Sequence, residues 1–308
     1  MEKDFQVFAA PLAGITDRPF RTILRRLNPG LKIMTEMISC HSITGHGGGR
    51  NDDTYFDENT GAQIFGADPK LMADAARILA DRGAAWIDIN MGCPVPKVAT
   101  RAGAGAFLMR DHRLAGQITA AVARAVKIPV SIKTRLGWDD AHLDSVELIR
   151  IAADNGAKWA AVHGRTRAMG YAGVADWNAI ADLVTPRLDR GGQAKIALPI
   201  IFNGDIKNAA DISAVRALGA MGAMIGRAML GRPDIFNPKP GAVNSELILE
   251  HLELMIEYYG ERAAIPMFRK HAAWYATGRS GAAAFRTRAN GITTAAEMRG
   301  AVKDFFQN

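Results

Sequence analysis

The chain has 308 residues, 48% hydrophobic and 22% charged, enough apolar material for a large core and too much for a disordered polymer. Its longest apolar runs, such as Ala220–Ile225, fall far short of the ~20 residues a bilayer span needs. Lys and Arg number 38 against 31 Asp and Glu, a net charge of +7 that leans towards an anionic partner.

Candidate strands begin near Val7, Lys32, Gln63, Trp86, Pro129, Trp159, Pro199 and Ala223. Runs such as Trp86-Ile-Asp-Ile89, Val130-Ser-Ile132 and Ile200-Ile-Phe202 are continuously apolar, as parallel strands covered on both faces must be. Helical stretches separate them. Residues 69–83 have Asp68 as cap, Pro69 at the first position and Gly83 at the end, and 144–156 follow the same logic. Eight such units predict a (β/α)8 TIM barrel, with a doubly wound open sheet as the alternative. Asn237-Pro-Lys-Pro-Gly241 then punctuates the chain. Beyond it Leu247, Ile248, Leu252, Met255 and Ile256 line one helical face, and residues 261–308 hold eight basic side chains against three acidic. The division expected is a barrel over 1–238 and a C-terminal all-helical domain over 239–308. The opening Met1-Glu2-Lys3-Asp4-Phe5 has no secretory pattern and two cysteines make no disulfide framework, so a reducing cytoplasm is expected.

Polar and glycine-rich clusters follow the strands: Pro11-Leu-Ala-Gly14, Asn90-Met-Gly-Cys-Pro94, Lys133-Thr-Arg135, His163-Gly-Arg165, Asn203-Gly-Asp205 and Gly226-Arg227. In a barrel these ends share the face that carries chemistry, and the last two clusters fall where barrels hold phosphate. Cys93, between Gly92 and Pro94, reads as a functional thiol, the alternative being an inert buried cysteine. Cys40, beside His41, lacks that framing and reads as structural. Isolated cysteines without CxxC spacing argue against zinc. Cys93 with His163 also suits a Cys-His hydrolase, and Lys133 a Schiff-base lysine. Yet Gln63, Lys133, Asn203, Gly204 and Arg227 together suit a large planar cofactor with a phosphate. Lys133 would then stabilise the negative charge of a reduced flavin.

Pro11–Asp17, Asn90–Pro94 with Lys97, Ile132–Trp138, Val162–Thr166, Asn203–Asp205 and Met224–Ala228 resemble, in order and over nearly the whole chain, the tRNA-dihydrouridine synthases. Arg269-Lys-His-Ala-Ala-Trp-Tyr275 followed by Phe285-Arg286 is similar to the bacterial B-type branch. The resemblance implies an FMN barrel, a helical RNA-binding domain, and reduction of the C5–C6 bond of a uridine in the tRNA D-loop with NADPH. It makes Cys93 the general acid. Pro11, Leu12 and Ala13 would meet the flavin through backbone, Gln63 and Lys133 would contact its ring, and His163 would lie near flavin and base. Asn203, Gly204, Asp205, Gly226 and Arg227 would hold the ribityl chain and phosphate. Asn90, Lys97, Arg101, Arg135, Arg165, Arg269, Lys270 and Arg286 would face the RNA, with Arg279 and Arg288 as further cations. Trp274 and Tyr275 read as core of the helical domain. The chain departs from the family pattern at Ala99 and at Ala104-Gly105. No GxGxxG follows a strand, so NADPH and uridine are expected at the flavin in turn. Two rival readings are a small-molecule flavin reductase and a non-catalytic tRNA-binding regulator.

Overall fold

The computed structural model describes residues 5–45, 56–184, 198–237 and 241–306. The eight apolar runs are strands β1 (Gln6–Ala9), β2 (Lys32–Ser39), β3 (Thr60–Phe65), β4 (Ile87–Asn90), β5 (Val130–Arg135), β6 (Trp159–His163), β7 (Ile200–Asn203) and β8 (Gly222–Ile225). They pair in parallel in chain order, and β8 closes onto β1. The fold is thus the expected (β/α)8 barrel, and the open sheet is excluded. Between strands run α1 (Arg18–Leu27), α2 (Cys40–Ile43), α3 (Pro69–Asp81), α4 (Pro96–Ala99), α5 (His112–Ala125), α6 (Ser145–Asp154), α7 (Trp177–Val184) and α8 (Ala209–Ala217). Asp68 caps α3 as its sequence predicts, accepting from the backbone N–H of Lys70 and Leu71 at 2.8 and 2.9 Å. Asp144 precedes α6 but makes no side-chain cap bond.

Residues in register on neighbouring parallel strands face the same side of the sheet, so the pairing sorts the interior into layers. The lower layer is Phe8, Ala10, Met34, Trp86, Ala161, Ile201 and Met224. Gly61 makes room for the indole: a Cβ there would lie 2.1 Å from Trp86 Cε2. Towards the strand C-termini the register pairs Gln63 with Asp88, Asn90 with Lys133, Arg135 with His163, and His163 with Asn203. The upper layer is therefore polar.

The chain packs as two compact units: Met1–Gly14 with Lys32–Gly226, and Ile15–Leu31 with Arg227–Asn308. That differs from a single division after residue 238. Helix α1, first of the barrel series in sequence, packs instead in the second unit with α9 (Ser245–Tyr259), α10 (Glu261–Tyr275), α11 (Ala282–Gly291) and α12 (Ala295–Phe306). The physical reason is specific pairing. The Tyr259 hydroxyl donates to Asp17 at 2.9 Å, Asn28 donates to the Pro233 carbonyl at 3.1 Å, and Phe20 packs 5.5 Å from the His251 ring. Ile248, Leu252, Met255, Phe268, Phe285 and Met298 form this unit's core. Tyr275 is buried within it and Trp274 is half-buried, as their helical spacing predicts. Among the described residues no helix is long and apolar enough to cross a membrane.

Candidate active site at the strand C-termini

Cys93 is half-buried on the turn that leaves β4. Asn90, the last residue of that strand, folds its side chain back so that Oδ1 accepts from the N–H of Gly92 at 3.2 Å and of Cys93 at 2.9 Å. Arg135 Nε donates to the Gly92 carbonyl at 2.8 Å, and the Ala106 N–H to the Cys93 carbonyl at 3.1 Å. Gly105 passes so close that a Cβ would stand 3.0 Å from the Cys93 carbonyl oxygen, and its φ is +56°. The departure at 104–105 thus lies against the cysteine turn. Ala99 is fully buried, so that position faces the interior of its loop.

Below the turn lies a closed hydrogen-bond network. Gln63 donates from Nε2 to Asp88 Oδ2 at 2.7 Å and accepts at Oε1 from Asn90 Nδ2 at 2.8 Å. Ser131 Oγ donates to the other oxygen of Asp88 at 2.6 Å. Burial pushes the Asp88 carboxyl up to about 6, against the pull of its two donors and of Lys133. Burial, then Arg135, brings the Lys133 ammonium down to about 8, with Asp88 opposing. Lys133 is half-buried and stays mostly cationic at neutral pH. Asp88 is the member of this network that the sequence reading missed. Its signal was present: an acid in the otherwise apolar run Ile87-Asp-Ile89.

On β6 and β7 a second network forms. Arg165 is buried to 2% and donates to the carbonyls of Ala172 and Gly173 at 2.9 and 2.7 Å, and to Asp205 at 2.7 Å. The same Asp205 oxygen takes the Ala175 N–H at 2.8 Å. Arg165 Nη1 also faces His163 Nε2 at 3.2 Å. A guanidinium only donates, so in this contact Nε2 is the acceptor. Gly204, at φ +109°, runs so near that a Cβ would stand 2.7 Å from the His163 ring. Asn203 donates to the Met224 carbonyl at 2.8 Å. Pro11 and Leu12 are half-buried and Ala13 is exposed in the loop after β1, Gly226 follows β8, and Arg227 is exposed at the start of the 3-10 turn Arg227–Met229.

The residues read from sequence as RNA-facing divide sharply. Lys97, Arg101 and Arg286 are exposed. Arg135 and Arg165 are buried; Arg135 donates through Nε and Nη1 to backbone carbonyls, and Arg165 to carbonyls and Asp205, so both hold loops in place. Asn90 and Asp205 likewise spend their side chains on internal bonds. Arg269 bonds the Ile292 carbonyl and Lys270 is half-buried. Arg288 pairs with Asp304 at 2.9 Å, while Arg279 donates to the Val243 carbonyl at 3.2 Å. Cys40 is fully buried, and burial raises its thiol to about 11, as a structural cysteine requires.

Fold and site together define a (β/α)8-barrel protein that gathers a thiol, an ammonium, an imidazole and amides at the end where barrels carry their chemistry. The model of the family described as dihydrouridine synthase (Dus) matches residues 8–308. The chain is 38% identical to the tRNA-dihydrouridine synthase B of Xanthomonas campestris pv. campestris, over 98% of this chain and 92% of that protein. It is 37% identical to the protein of that name in Salmonella typhimurium, over 98% and 96%. The chain belongs to the dihydrouridine synthase family, a family of oxidoreductases.

Proposed function

We propose that this protein reduces the C5–C6 double bond of uridine in the D-loop of tRNA, with FMN in the barrel mouth, NADPH as the source of electrons and Cys93 as the proton donor. The observation that carries the reading is the Cys93 turn, half-buried after β4 and held by bonds to its backbone rather than to its thiol. The residues fit a flavin. Lys133 would supply a cation to the ring, Gln63 keeps one Nε2 hydrogen beyond its bond to Asp88, and the Gly226 backbone leaves room for a phosphate. At Gly226 a Cβ would meet only Ala10, at 3.7 Å. When bound, FMN supplies the hydride.

The chain's own residues do the rest. Reducing the double bond leaves negative charge along C5 and O4, and a proton from Cys93 Sγ at C5 quenches it. Lys133 would stabilise negative charge on the bound ring. His163 lies at the same strand ends, its Nε2 facing Arg165. Exposed Lys97 and Arg101 follow the Cys93 turn in sequence and are placed to take phosphates, offsetting the few kcal/mol that drawing a base from its stack costs. The helical unit, through exposed cations such as Arg286, holds the rest of the tRNA. That substrate sets the protein in the cytoplasm. The test is Cys93→Ala: NADPH should still bleach the flavin, while dihydrouridine formation falls by about 10²–10⁴. Parent-like uridine turnover would remove Cys93 from the mechanism. A colourless purified protein would remove the flavin, and turnover of free uridine would mark a small-molecule reductase.

A further inference from the structure

We propose that Asp88 is a positioning residue: as an acceptor it sets the direction of the hydrogen bonds through Gln63 and Asn90, and so holds the backbone N–H groups of the Cys93 turn. The inference rests on the reading of Cys93 as the proton donor. Its geometry is a chain with one sense. A carboxylate only accepts, so Gln63 must turn its Nε2 towards Asp88, which it does at 2.7 Å. Gln63 Oε1 then faces Asn90, which must answer with Nδ2, at 2.8 Å. That choice leaves Asn90 Oδ1 for the N–H of Gly92 and Cys93, at 3.2 and 2.9 Å. Reversing the first amide reverses each link. Asn90 would then present Nδ2 to two backbone N–H groups, losing both bonds.

The placement explains why an acid sits in an apolar strand at all. Asp88 is fully buried, and burying a carboxylate is costly. Ser131 and Gln63 each give one hydrogen bond to its oxygens, and the influence of this fully buried group passes through these partners. The carbonyls of the turn have separate anchors, Arg135 on Gly92 and Ala106 on Cys93. For the N–H groups the side-chain anchor is Asn90. The direction of the amide chain therefore decides whether the Cys93 turn is tied on both sides or on one.

The experiment measures amide hydrogen exchange at Gly92 and Cys93 in the full-length protein as purified. Asp88→Leu removes the acceptor, and exchange at these two amides should rise about tenfold while amides of β7 and β8 keep their parent rates. Asp88→Asn should keep protection within about threefold of the parent, because the Ser131 hydroxyl can accept from Nδ2 and leave Oδ1 for Gln63. Unchanged exchange in Asp88→Leu overturns the proposal. So does an equal rise across the whole barrel, which marks a merely structural residue, or equal loss in Asp88→Asn, which marks the charge rather than the bond direction. Should Asp88→Leu not fold, Gln63→Met cuts the chain one link later and must give the same local rise; no rise there overturns the proposal too. Exchange is read without uridine turnover. A parent-like Cys93→Ala enzyme would thus sink the functional reading and leave this result to be judged separately.

Discussion

Asp88 in the barrel and His251 in the helical unit are both completely buried polar groups, yet their surroundings differ. Each oxygen of Asp88 has a donor. His251 has the Tyr275 hydroxyl at 3.0 Å on Nδ1, and among the described residues neither its Nε2 nor that of His271 has a hydrogen-bond partner. The histidines lie instead among rings: each other at 4.6 Å, Phe20 on both, Phe268 at 5.5 Å from His251 and Trp274 at 5.3 Å from His271. A hydrogen-bonded group keeps a direction and can pass it on. A neutral ring in an aromatic cluster contributes volume and packs from any side. The candidate site therefore lies where the buried polar groups are paired, and the helical unit uses its histidines as core.

Acid tests that difference most strongly. Burial, with Lys270 nearby, lowers His251 to about 3, and lowers His271 well below its ordinary value. The unfolded chain takes these protons near pH 6.5 and the folded one does not, so stability present above 6.5 is lost as pH falls towards 3. By pH 4 His251 alone removes about 3 kcal/mol. Asp88 acts with the opposite sign. Its raised carboxyl binds a proton in the folded state first, so its contribution grows as pH falls through 6 to 4. Circular dichroism should show helix lost between pH 6 and 4, and hydrogen exchange should locate the loss in residues 245–306. His271→Phe should shrink that acid step while staying within about 1 kcal/mol of the parent at pH 7. An acid transition of equal size in both units would break the comparison.

The next effect belongs to the paired side. Arg165→Met leaves Asp205 without its guanidinium, in a pair whose side chains are 2% and 17% exposed. The Ala172 and Gly173 carbonyls lose their donors as well. Urea denaturation should show a loss of about 3 kcal/mol, with flavin affinity reduced because the loop after β6 loosens around His163. A stability within about 0.5 kcal/mol of the parent would show that Arg165 is a surface cation after all.

Arg165 also shows where sequence reading stops. The strands were legible because continuous apolar runs and capped helices are local signals, and all eight begin within a few residues of the expected places. The cluster of polar residues at the strand ends was legible for the same reason. The direction of each side chain was not. Parallel strands are apolar on both faces, so no alternation says which residues meet inside the barrel, and only the register shows that Gln63 lies opposite Asp88. Nor does a basic residue at a strand end announce whether its donors go to RNA or to carbonyls 7 or 8 residues on, as those of Arg165 do. Helix α1 hid its membership of the second unit likewise, because Asn28 bonds across 205 residues of sequence.

The smallest effect on stability is expected from residues that belong to neither kind of buried network. Lys97 and Arg101 are exposed, on and just after α4, the short helix that follows the Cys93 turn. Neither packs into a core, so the double variant Lys97→Ala, Arg101→Ala should stay within about 0.5 kcal/mol of the parent in urea denaturation. Its tRNA binding should nonetheless change in a defined way. Each phosphate contact adds about 0.7–0.9 to the slope of log affinity against log salt, so the double variant should flatten that slope by about 1.4–1.8. NADPH bleaching of the flavin, which needs no phosphate contact with RNA, should keep its parent rate. If the slope is unchanged, the phosphates are held elsewhere and the mouth of the barrel meets only the base. If stability falls by as much as in Arg165→Met, these cations too are internal anchors, and exposure has failed as the criterion that separates the two groups.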